Sequence, residues 1–188
     1  MITFFFLFAC AGTPAPPEPP PTAAPTPPPA AAPTAGPHEA ARAYAAEIDA
    51  GRSGLFAVEG PREEGGDAVI RVVGHRQDED LVLIEEIVEV GEYRSTVQRL
   101  YLRAGQPVLA RHSGMETDPI EGSDDRFRYF EEVVIFAGGA PVVSQKREVF
   151  NASGHAPTPP DLSVLPWETS DQPFEVDVAG LIANFPQQ

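Results

Sequence analysis

The spacing of apolar and polar residues changes character along the chain, and each change marks an element. Over residues 38–50 (HEAARAYAAEIDA) the period is helical: Ala41, Tyr44, Ala45 and Ile48 fall on one stripe. Alanine favours the helix, Glu39 lies near its positive end, and Gly51 is placed to close it. The stripe is thin, so the expected helix lies on a sheet. From residue 54 onward the pattern shortens to strands. Runs at 55–58, 68–73, 81–90, 96–103, 107–111, 126–136 and 141–150 read as strands, and residues 74–80, with His75, read as a polar turn. Within the third run Val82, Ile84, Val88 and Val90 alternate, which predicts one buried face.

Two of the connections resemble each other. Tyr101-Leu102-Arg103-Ala104-Gly105-Gln106-Pro107-Val108-Leu109 aligns with Ile135-Phe136-Ala137-Gly138-Gly139-Ala140-Pro141-Val142-Val143, with Gly, Pro and Val in register. Glycine supplies the positive φ of tight hairpins, and proline is tolerated as a strand's first residue. The predicted fold class is α+β, mainly antiparallel: a meander of about six or seven strands with the N-terminal helix packed on it. The region from about Asp67 to Phe150 loosely resembles small exported bacterial proteins of unknown function in which such hairpins recur, a resemblance that implies a fold and no activity. Residues 151–173, rich in Pro, Ser, Thr and Asp, are expected to wrap the domain, and residues 176–183 to dock as a short helix or edge strand.

Charge and aromatics refine this picture. The pairs Glu85-Glu86 and Glu131-Glu132 stand mid-strand, so one member of each should face inward or toward a groove, with Arg99, Arg126 and Arg128 as cross-strand partners. Phe127 and Tyr129 should point one way and Phe130 the other, while Phe136 extends the apolar run. Such a strand is either covered on both sides or presents an exposed groove for a lipid or peptide.

Composition separates the N-terminus from the rest. Twelve of the 22 prolines lie in positions 14–37, Glu18 is the only charge there, and all 13 basic residues come later. Proline fixes φ and withholds a donor, so residues 11–37 are expected to be a disordered linker. In polyproline II form, at about 3.1 Å per residue, they would reach roughly 80 Å. Before them, Met1-Ile2-Thr3-Phe4-Phe5-Phe6-Leu7-Phe8-Ala9-Cys10 resembles a bacterial lipoprotein signal, with Leu7 and Ala9 at the usual positions before the lipidated cysteine. The resemblance implies a lipid on Cys10, a membrane as partner, and a place in the bacterial cell envelope, at the outer membrane. The expected organisation is a signal segment at 1–10, the linker at 11–37, and one globular domain at 38–188.

The remaining chemistry is sparse. A net charge of −15 argues against nucleic acid, whose phosphates need a basic footprint. Cys10, the single cysteine, excludes an intramolecular disulfide framework. His38, His75, His112 and His155 show no metal-ligand spacing, and three of them fall in expected turns or element ends, where a solvated imidazole suffices. His112-Ser113 and Ser153-Gly154-His155 join Ser and His in sequence only. Glu116, Asp118, Glu121, Asp124 and Asp125 crowd one loop without the spacing of a calcium site. No catalytic residue, metal or cofactor is therefore expected. The leading function is a membrane-anchored structural or interaction module. The alternatives are a carrier with an apolar ligand in the concavity of a curved sheet, and a hydrolase whose site forms from distant residues.

Overall fold

A computed structural model describes residues 36–118, 126–152 and 159–186. Cys10 and the linker up to residue 35 lie outside them, as do His155, Glu121, Asp124 and Asp125. The chain opens with α1 (Pro37–Gly51), continues through β1 (Phe56–Gly65), β2 (Ala68–Gln77), β3 (Asp80–Val90), β4 (Arg94–Arg103), β5 (Gln106–Asp118), β6 (Arg126–Ala137), β7 (Ala140–Ala152) and β8 (Glu168–Thr169), and ends in α2 (Val178–Ala183). The eight strands form one antiparallel sheet in chain order, each paired with its sequence neighbour.

Among the described residues the strand count is thus eight, where the pattern predicted six or seven. β8 accounts for the difference: it pairs only Thr169 with Gln145 and Glu168 with Lys146, and two residues are too short to carry a period. Strands also run further than their apolar segments. β2 includes His75, so residues 74–77 are strand rather than turn, and β5 continues past Arg111 to Asp118. Hydrogen bonding to neighbours on both sides extends these polar ends, which side-chain alternation does not reveal.

α1 begins with Pro at its first turn and buries Ala41, Ala45 and Ile48. Gly51 does not close it in a left-handed conformation; its φ is −88° and the chain runs on into a 3-10 turn at Arg52–Gly54. The helix packs on one sheet face, over Leu83, Tyr101, Leu109, Val133 and Ile135. The opposite face carries Val72, Ile84, Leu100, Leu102 and Ala110 beneath Leu181 and Phe185 of the C-terminal segment. α2 is started by Asp177, whose side chain accepts from the Gly180 N–H at 2.9 Å. Covering on both sides explains why β3, β4 and β6 are apolar on both faces near their turns.

The hairpin likeness extends to a third copy. In β2–β3, β4–β5 and β6–β7 the returning strand carries one unmatched residue at the same place: Val82, Val108 and Val142. Each follows a two-residue connection whose first residue has positive φ: Asp78 (56°), Ala104 (49°) and Gly138 (59°). A bulge increases local twist and bend. Val82 and Val108 join the core under α1, whereas Val142, nearer the sheet edge, is exposed.

Candidate functional site

Where α1 ends, the register places charge in the middle of its sheet face. Glu85, Arg99, Arg111 and Val133 lie side by side on β3 to β6. Arg99 and Arg111 are thus direct cross-strand neighbours, an arrangement that repels unless counter-charge is supplied. Three carboxylates supply it. Glu85, only 2% exposed, accepts from Arg99 Nε at 2.8 Å, from Arg52, and from His75 Nε2 at 2.9 Å. Burial alone would raise the Glu85 carboxyl; the hydrogen bonds from Arg99 and His75, with the charges of Arg52 and Arg99, outweigh it and hold the group below its ordinary value. Asp49 of α1 accepts from the Tyr101 hydroxyl at 2.9 Å and from Arg111 Nη1 at 3.2 Å. Glu131 faces Arg111 Nε at 3.3 Å and pairs with Arg147.

The cluster continues to the sheet edge. Arg147 and Arg42 both lie over the Trp167 ring, 4.5 and 4.9 Å from its centroid, and Arg42 donates to Gln145. Four arginines (52, 99, 111 and 147) therefore share three carboxylates, and Arg42 stands beside them against Gln145 and Trp167, on a chain of net −15. Burial lowers the Arg42 pKa, and the nearby positive charges of Arg111 and Arg147 lower it further, against the raising effect of Glu131.

Beside this cluster the same face is hollow. A groove of about 830 Å³ runs over β4, β5 and β6, with Arg99, Arg111 and Glu131 at its charged end and Met115 and Tyr129 further along. Pro159, Pro160 and Leu162 form its wall. Small side chains make the hollow: Ser95 and Ser113 stand on the floor between larger neighbours. Gly114 lets β4 and β5 come close, since a Cβ there would meet the Ser95 carbonyl oxygen at 2.2 Å.

The sequence candidates separate cleanly. Glu85 is the inward member of its pair; Glu131 faces the groove and Glu132 the opposite face. Arg99 pairs with Glu85, and Arg128 pairs with Glu116, Glu132 and Glu148, whereas Arg126 lies over the Phe150 ring instead. His75 is not solvated: it is 7% exposed inside β2. His112 is also in a strand, 4.8 Å from Phe130 and 5.4 Å from Phe174 between ring centroids. Alternation puts His112 and Ser113 on opposite faces, so their sequence adjacency brings no Ser–His contact. Glu116 is committed to Arg128, and among the described residues no three His, Cys, Asp or Glu converge as metal ligands. Arg111, Arg147, Arg42 and Asp49 had no motif to announce them; only strand register and the helix crossing bring them together.

Comparison with known proteins finds no matching family model, no matching curated protein and no matching solved structure.

Proposed function

We propose that this chain is a lipid-anchored binding protein of the bacterial cell envelope, with Cys10 as the lipidated residue, the proline-rich segment before α1 as the tether and the groove as the ligand site. The groove is the observation that carries the reading. Its volume falls in the roughly 300–1,000 Å³ range of small-ligand sites, and its lining combines apolar side chains, among them Met115 and Leu162, with a few convergent polar groups. The interface under α1 itself is filled, with Ala45, Leu83, Tyr101 and Leu109 fully buried. The carrier reading therefore takes its site beside the helix rather than beneath it. The charged groups at the groove are Arg99, Arg111 and Glu131, each paired with an opposite charge, and neither His75 nor His112 lines it, so no catalytic residue is assigned.

The test is uptake of N-phenyl-1-naphthylamine, a neutral dye that fluoresces in apolar sites, by the full chain and by Ser113→Trp. Saturable fluorescence in the wild type, lost when the indole fills the groove floor, is expected. Absence of saturable uptake, or uptake unaltered in a folded Ser113→Trp variant, would overturn the reading.

A further inference from the structure

The groove's two ends differ in chemistry, and the difference specifies a ligand. At the charged end Arg99 spends Nε on Glu85, while neither of its terminal nitrogens has a hydrogen-bond acceptor among the described residues. Arg111 lines the groove beside it and, among the described residues, donates through Nη1 alone; its Nε lies 3.3 Å from Glu131 without hydrogen-bond geometry. Two guanidinium groups that retain donors, within a cluster where four arginines share three carboxylates, suit an anion. Among the described residues Glu131 is the one carboxylate lining the groove, and it is already shared by Arg111 and Arg147. Away from the arginines the lining turns to Met115, Tyr129 and Leu162, which suit a hydrocarbon body.

We propose that the groove binds a single-chain amphiphile with an anionic head, a carboxylate-terminated alkyl chain being the simplest member, its head on Arg99 and Arg111 and its tail along Met115, Tyr129 and Leu162. The inference rests on the binding function proposed above and adds the ligand class. A free amphiphile is favoured over the surface of an anionic bilayer because the chain as a whole carries −15 and is repelled by such a surface. Within the groove the head exchanges water for charge-assisted hydrogen bonds from the two arginines, and the tail leaves water for apolar contact.

The experiment displaces the naphthylamine dye from the full chain with decanoate, decanol and decyltrimethylammonium, each below its micelle concentration. Decanoate should displace the dye at a concentration about tenfold or more below that of decanol, with the cation weakest, as charged hydrogen bonds imply. In Arg99→Met and Arg111→Met the preference for decanoate over decanol, read as the ratio of the two displacing concentrations within each variant, should shrink severalfold. Equal displacement by all three compounds overturns the proposal but leaves the binding function standing; failure to take up either dye or decanoate overturns both. The comparison of head groups in the wild type needs no variant, so a variant that fails to fold does not weaken it. Phosphatidylglycerol vesicles should not retain Cys10→Ala chain. Retention that Arg99→Met abolishes would transfer the site to a bilayer and overturn the free-amphiphile assignment.

Discussion

His75 Nε2 lies 2.9 Å from Glu85 Oε2, deep between the sheet and the end of α1, and this contact fixes the histidine's tautomer. Because Glu85 is held ionised by its partners, the imidazole must donate through Nε2. A buried carboxylate with three basic partners is costly to disturb from either side, and removal of one partner leaves the others uncompensated.

Glu85→Ala should therefore destabilise the domain by about 3–5 kcal/mol, measured by urea unfolding, because Arg52, Arg99 and His75 lose their shared acceptor. The pH dependence follows from the depressed carboxyl. Its contribution is fully present above the unfolded-state value of about 4.3 and is lost as pH falls through the lower folded value. Glu132 and Glu148 are depressed in the same direction, against burial, by His112, Arg128 and Lys146. Unfolding curves between pH 6 and about 3 should show a steeper loss in the wild type than in Glu85→Gln.

Gly114→Ala should cost stability at the upper end of the roughly 1–3 kcal/mol seen for overpacking. The added methyl would meet backbone, the Ser95 carbonyl oxygen and Thr96 Cα at 2.2 and 2.7 Å, and φ there is 151°. Thermal unfolding gives the comparison; a variant as stable as wild type would show that β4 and β5 separate freely.

Phe185 rests on two glycines across the opposite face. A Cβ at Gly74 or at Gly60 would come within 2.8 Å of its ring. Phe185→Ala should cost about 3–5 kcal/mol as a buried aromatic truncation. Gly74→Ala should destabilise the wild type but be nearly neutral in the Phe185→Ala background, a coupling that a double-mutant cycle reads directly.

Cys10→Ala should release the native protein from the membrane fraction, and intact mass of the wild type should show the added acyl groups. Unchanged membrane association of the variant would remove Cys10 as the anchor.

The sequence was most legible where a side-chain period coincided with burial. The stripe of Ala41, Tyr44, Ala45 and Ile48 located α1, and the Gly-Pro-Val likeness of residues 101–109 and 135–143 located two hairpins. The third copy escaped because Asp78-Glu79 has no glycine, although Asp78 adopts the same positive φ. The site was harder to see. Its arginines lie far apart in the chain, at 42, 52, 99, 111 and 147, and each alone resembles a solvated surface residue. His75 was misplaced because Gly74, Arg76 and Gln77 give it a turn-like neighbourhood; pairing of Gly74 with Ile84 and of His75 with Leu83 overrides local composition.

The strictly sequential order of the sheet has a kinetic consequence. Every strand finds its partner next to it in the chain, so no pairing waits for a distant crossover strand to arrive. Loop closure is short and its entropy small at each of the tight two-residue connections. The sheet can therefore assemble by successive addition of hairpins from more than one starting point, and its folding rate should exceed that of all-β domains with long-range strand exchange. Docking of the C-terminal segment, which must bring Phe185 back to Gly60 and Gly74, closes the longest loop and belongs late in that sequence.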